Sequence, residues 1–257
     1  MSSPSNEVLV NDPILPVRQD LMDGQGAAAG GSGATAQNAP LGTRLRLSDR
    51  TYYYAVASAS LASGTVVCSP EPTASHQSGV LAVAAAAVGA KSITGTSSAA
   101  VAVNYYAEGF FGVASGTNGG ELYRIKSNAA GSTGFAITLY DGLNTAITSG
   151  TGFWLTPNPF QNVFVGSQAI DLPIGVCPTN VTSGGYFWLQ TWGVANPLHQ
   201  AATPAGAALS LGTTGSVVQV FNAGTTGPAV ASTIIGKNTY LAATAAQANP
   251  VFLTILP

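Results

Sequence analysis

The sequence predicts an all-β fold: an antiparallel β barrel or sandwich, as one body or as two β modules, with an extended N-terminal arm. Three observations carry this. The chain breaks into short runs rich in Val, Ile, Thr, Tyr, Phe and Trp, each bounded by Gly, Pro, Asn or Ser. No window of about 20 residues shows helical periodicity with charges on one side. Apolar residues make up 46% of the 257 positions and charged residues only 7%, against roughly 25% in an ordinary soluble protein.

The charge deficit is uneven. Residues 1–50 hold nine of the 18 charged side chains, and no Asp, Glu, Lys or Arg lies between Asp171 and Lys237. Gly, Pro, Asn, Thr and Ser interrupt every apolar run before it reaches the ~20 residues of a spanning helix, so no membrane role is expected. Met1 to Val10 lacks the basic and apolar regions of a secretory leader, which sets the expectation of a chain made without one. The net charge of −2 gives no basic footprint for nucleic acid. A neutral surface rich in hydroxyls and amides tends instead to associate with other subunits.

The elements follow in order. Residues 1–40 read as an arm and linker. Asp12-Pro13 and Leu15-Pro16 stand among Val8, Val10, Ile14 and Val17, a pattern that forbids regular helix and favours extended chain. Residues 24–39, rich in Gly and Ala, have the composition of a flexible tether. Val8, Val10, Ile14, Leu15 and Val17 are the arm's candidate contact residues. Two readings stay open: a tail of no consequence, and an arm lying across a neighbouring subunit.

From Leu41 the chain reads as strands and turns. Strands are expected at 43–47, 51–56, 65–68, 110–113, 122–126, 135–140, 152–156, 163–165 and 174–177, then at 186–192, 207–211, 216–221, 230–235 and 251–255. Asn118-Gly119 is a turn signal ahead of Leu122. The Ala-rich run Val80 to Val88 is the one helix candidate. Turn-rich boundaries near Ser78-Gly79 and Pro157 to Pro159 suggest an inserted module, residues 79–160, within a second module made of 41–78 and 161–257. In 121–126, Leu122, Arg124 and Lys126 share one strand face. In 186–192, Phe187 and Leu189 point one way and Trp188 and Trp192 the other. A strand apolar on both faces is buried on both, so Tyr186, Phe187, Trp188 and Trp192 belong either to the core or to an interface.

Chemistry is hard to find. His76 and His199 sit in loop-like contexts with no acidic neighbour in sequence, and no Gly-x-Ser-x-Gly elbow is present. Residues 51–257 offer Glu71, Glu108, Glu121, Asp141 and Asp171, with nothing to pair any two as acid and base. Cys68 and Cys177 lack metal spacing and read as buried, reduced thiols. Ile235-Gly236-Lys237-Asn238 lacks the remaining residues of a phosphate loop. The expectation is a non-enzyme with no catalytic residues, no cofactor and no metal.

Several segments carry a resemblance. Leu41-Gly42-Thr43-Arg44, Asp49-Arg50 with Tyr52 to Tyr54, Leu61-Ala62-Ser63-Gly64, Tyr123-Arg124-Ile125-Lys126, Leu155 to Phe160 and Pro173 to Val176 are similar to segments of tailed-bacteriophage head proteins. Gly185 to Gly193, Gly-Tyr-Phe-Trp-Leu-Gln-Thr-Trp-Gly, is the most specific of them. Together they span residues 41–257 in outline and resemble capsid decoration or cement proteins. The resemblance implies a virion protein on the capsid exterior, assembled in the host cytoplasm, that binds across major capsid subunits and stabilises the head. Its implied partners are the major capsid protein and further copies of itself, a trimer suiting quasi-threefold positions of a shell. The alternative is a receptor-binding or fibre-type β module of the virion.

Overall fold

A computed structural model describes residues 7–10, 34–71, 73–77, 80–116, 119–167, 171–220, 233–240, 242–243 and 247–256. The fold is all-β and antiparallel almost throughout. It divides into a larger unit, Met1–Pro70 with Phe160–Pro257, and a smaller unit, Glu71–Pro159. The larger unit opens with β1 (Glu7–Val10), β2 (Arg44–Leu47), β3 (Arg50–Val56) and β4 (Val66–Cys68). The smaller unit holds the single helical turn α1 (Ala74–Gln77), then β5 (Val80–Ala82), β6 (Ser92–Val101), β7 (Phe110–Val113), β8 (Leu122–Asn128), β9 (Gly131–Leu139) and β10 (Gly152–Thr156). The chain then returns with β11 (Phe164–Val165), β12 (Pro173–Val176), β13 (Tyr186–Ala195), β14 (Thr203–Pro204) and β15 (Ala208–Leu211). It ends with β16 (Val217–Gln219), β17 (Ile234–Asn238), β18 (Ala242–Ala243) and β19 (Val251–Thr254).

In the larger unit an 11-stranded sheet runs β1-β2-β3-β13-β19-β17-β15-β16, with β12 joining β13 to β4 and β4 pairing β11. Among the described strands β1 and β2 pair in parallel, Glu7 opposite Arg44 through Val10 opposite Leu47, and isolated parallel bridges join Ala57 to Val163 and His199 to Val217. β2 alternates as the sequence predicts, with Leu45 and Leu47 buried. β13 is the centre. It pairs with β3 from Tyr186 to Trp192, with β12 at Gln190 and with β19 from Trp192 to Ala195. Phe187, Leu189 and Thr191 are completely buried, and Trp188 nearly so. The simple alternation expected of this strand is interrupted. A bulge between Gln190 and Trp192 leaves Thr191 between ladder positions, where its hydroxyl donates to the Leu256 carbonyl at 2.7 Å. Gly193, at φ +85°, completes the bend, because a Cβ there would stand 2.5 Å from the Asp49 carbonyl oxygen.

The smaller unit is a closed barrel in the order β10-β5-β6-β9-β8-β7. Alternate residues of each strand fill it: Ile93, Phe111, Ile125, Phe135, Ile137, Leu139, Phe153 and Leu155. β6 crosses this core at Gly95, where a Cβ would lie 2.7 Å from the Phe153 ring and 3.0 Å from the Phe135 ring. That missing side chain is the room the two rings occupy.

Some expectations need correction. Val80 to Val88 is not a helix: Val80–Ala82 is a strand paired to β6 and β10, and Ala86 bridges Ile147. Closing the barrel requires a strand at that place, and an uncapped Ala run offers little resistance. The ten-residue β6 is absent from the expected strands, because its small residues, Ser, Thr, Gly and Ala, carry a weak strand signal. Residues 34–40, read as tether, are bonded to the body: Ala34 exchanges backbone hydrogen bonds with Tyr186, and the Asn38 amide donates to the Tyr54 hydroxyl. The inserted unit begins at Glu71 instead of residue 79, because α1 packs on the barrel through His76 and Gln77. The expected strand at 230–235 appears as β17, with residues 230–232 outside the described residues, as is Asn118 of the expected turn.

Two substitutions probe the two cores. Phe187→Ala should destabilise the larger unit by about 3–5 kcal/mol through cavity formation. Gly95→Ala should cost the barrel about 1–3 kcal/mol by overpacking. Urea denaturation of each variant against the parent measures both.

Candidate functional site

Several of the titratable groups have structural partners, while the buried His199 Nε2 has none among the described residues. His76 is buried on α1, its Nδ1 2.5 Å from the Tyr106 hydroxyl and its Nε2 3.2 Å from the Ala99 carbonyl. His199 is fully buried, and desolvation holds its pKa below the usual histidine value. The Glu121 carboxylate accepts from the Tyr123 hydroxyl at 2.6 Å and the Thr145 hydroxyl at 2.7 Å, which lower its pKa in that order. The Tyr123 oxygen in turn accepts from the Asn144 amide at 2.9 Å, so this group straps the 143–145 segment to β8. Asp171 accepts from the Ser167 amide, a turn role. Cys68 and Cys177 are free and buried, and burial above all pushes each thiol up to about 12. Both stay protonated at neutral pH and are poor nucleophiles or metal ligands. Among the described residues no group of three or more His, Cys, Asp or Glu is placed to hold a metal ion. None of the described helices is long and apolar enough to cross a membrane.

The candidate contact residues fall in three places. Val8 and Val10 lie on β1, opposite Leu45 and Leu47, while Ile14, Leu15 and Val17 are outside the described residues. Phe187 and Trp188 belong to the core of the larger unit. Tyr186 and Trp192 are half-buried at its margin: Tyr186 stacks on Tyr54, with 5.9 Å between centroids, and Trp192 meets Phe252 edge-on at 5.6 Å. On the barrel, Leu122 and Lys126 are exposed and Arg124 lies 6.0 Å from the centroid of the Tyr140 ring.

The sequence alone does not reveal a cavity of about 490 Å³ in the larger unit. It opens where the β13 bulge meets the segment before β4 and the segments after β12 and β13. Gln190, Arg50, Thr179 and Asn196 line it together with Val176, Val194 and neighbouring small and proline residues. The Gln190 Nε2 donates to the carbonyls of Trp192 at 3.2 Å and Val194 at 2.9 Å, which braces the bulge. Opposite, Arg50 carries the cavity's one charge among the described residues, with Asp49 3.8 Å away. The available signal was a lone amide inside an apolar strand, three residues before a glycine.

Comparison with protein-family models, with curated proteins and with solved structures finds no match to the chain.

His199 has a pH signature. The unfolded chain takes up a proton near the ordinary value of about 6.5, whereas the buried ring resists it. Its contribution to stability is therefore complete above that value and is lost as pH falls below it towards the lowered folded-state pKa. His199→Gln should flatten this part of the profile, measured as denaturation midpoints across about pH 5–8.

Proposed function

We propose that the chain is a structural protein of a virus particle that decorates or cements the capsid shell. It binds across major capsid subunits from outside and acts as a homo-oligomer, a trimer suiting quasi-threefold positions. The observation that supports this reading best is the edge of the larger sheet, which among the described residues has no strand beyond β1. β1 is its terminal strand, held to β2 by four residues of parallel pairing. Parallel pairing is slightly less stable per residue than antiparallel pairing, so such a strand can be exchanged. Backbone hydrogen bonds of the same kind can form with the edge of a neighbouring subunit, which is recognition by strand addition. An edge strand also presents a second row of N–H and C=O groups to a partner. The low charge, 7% overall, removes much of the electrostatic opposition to close packing.

The work assigned to the chain is cohesive: surface buried between shell subunits resists their separation. The test is deletion of residues 1–33, which keeps Ala34 and its bonds to Tyr186. The truncated chain should fold and lose attachment to purified heads; full occupancy by it would refute the arm's role. Stoichiometry in intact particles should be comparable with that of the shell protein. A number fixed by a few fibres would favour the receptor-binding reading instead.

A further inference from the structure

We infer that the cavity beside the β13 bulge is a binding site for an acidic sugar, a pyranose-sized ring bearing one carboxylate and adjacent hydroxyls. This inference concerns the larger unit by itself and does not rest on the virion reading.

Size, charge and hydrogen-bonding capacity agree. The volume, about 490 Å³, falls within the roughly 300–1,000 Å³ of small-molecule sites. Its one charged lining residue among the described residues is Arg50, and no carboxylate lines it. The Asp49 carboxylate lies 3.8 Å from the Arg50 Nε, with its side chain 65% exposed, so it answers the guanidinium only loosely. A single guanidinium pairs with an anionic group through two parallel N–H···O bonds and disfavours a cation. One carboxylate balances its charge, whereas a phosphate monoester carries about −1.5 to −2 and would be left in excess.

The remaining lining suits a polyol. Gln190 is almost wholly buried, and its Nε2 is committed to the Trp192 and Val194 carbonyls. This leaves Oε1 as an acceptor with no partner among the described residues, on a side chain the backbone holds fixed. A hydroxyl donor satisfies it. Thr179 and Asn196 line the same cavity, and their polar groups are neutral donors and acceptors. Val176, Val194 and Pro250 supply an apolar wall for the C–H face of a sugar ring. An apolar carboxylate would leave the Gln190 oxygen unanswered, and a neutral sugar would leave Arg50 unanswered.

The test is equilibrium titration of the full chain with D-glucuronate, D-glucose and acetate, followed by NMR. Glucuronate should saturate with a dissociation constant near ~1 mM, and glucose and acetate should each bind about tenfold more weakly or worse. Arg50→Gln should lower glucuronate affinity about tenfold, and Arg50→Lys, which keeps the charge and loses the two-pronged geometry, by a smaller factor. Asn196→Ala, at an exposed position, carries the test if the Arg50 variants fail to fold, and should weaken glucuronate measurably. Absence of saturable glucuronate binding overturns the inference. So does equal binding of acetate or glucose, or unchanged affinity in folded Arg50→Gln or in Asn196→Ala.

Discussion

The burial of β13 on both faces is the constraint on which the larger unit depends. This strand pairs with β3, β12 and β19, and so joins the aromatic cluster around Tyr52, Tyr54 and Phe187 to the aliphatic cluster around Leu209, Ile235 and Leu253. Over the buried stretch Phe187 to Thr191 the strand must satisfy its backbone by pairing and its side chains by packing. Gly185 to Gly193 meets the demand with large apolar groups, and the two polar side chains among them are both tied to backbone carbonyls. The strand cannot run straight past the β3–β19 junction. The bulge at Gln190 to Trp192 absorbs the mismatch, and Gly193 lets the Asp49 backbone approach.

The cavity is a consequence of the same bend. Where the ladder shifts, Gln190 keeps its backbone register with Tyr52 and Val176 while its side-chain amide braces the bulge. Arg50 stands at the first residue of β3, opposite the bulge, so strand register brings a cation to the cavity. Tyr52, two residues on, places its hydroxyl in the interior near that guanidinium. Burial raises the phenol's pKa, and the Arg50 charge offsets part of the rise. Arg50 and its neighbour Asp49 are the charges beside the cavity, since the other lining residues carry none.

What was legible in the sequence follows from the strength of local signals. Phe110–Val113 and Gly152–Thr156 have the bounds their aromatic content suggests, and β8 turns Tyr123 and Ile125 inward and Leu122 and Lys126 outward, as alternation requires. β6 was illegible because Ser, Thr, Gly and Ala look like loop, and its place is set by the barrel's need for a strand between β5 and β9. The helical reading of Val80 to Val88 failed for the complementary reason: local preference was weak and ring closure decided. Residues 34–40 resembled tether because Ala34, Gln37 and Asn38 have no hydrophobic signature, yet their backbone amides and carbonyls find partners on β3 and β13. The cavity was out of reach, since it depends on the register between β3 and β13, and register is a property of the pairing.

The place of the smaller unit in the chain explains how a large insertion leaves the central sheet whole. The chain leaves the larger unit after β4 and returns to it just before β11, and those two strands pair with each other, Cys68 opposite Phe164 and Val67 opposite Val165. The points of departure and return are therefore as close as the ends of a hairpin. To the larger unit the 89-residue barrel is topologically one hairpin loop, and loop-closure cost grows only slowly with length. The barrel in turn closes its own sheet and fills its own core, so neither unit requires a strand from the other. Each unit's register is therefore set by its own strands, β13 in the larger sheet and the six-strand closure in the barrel.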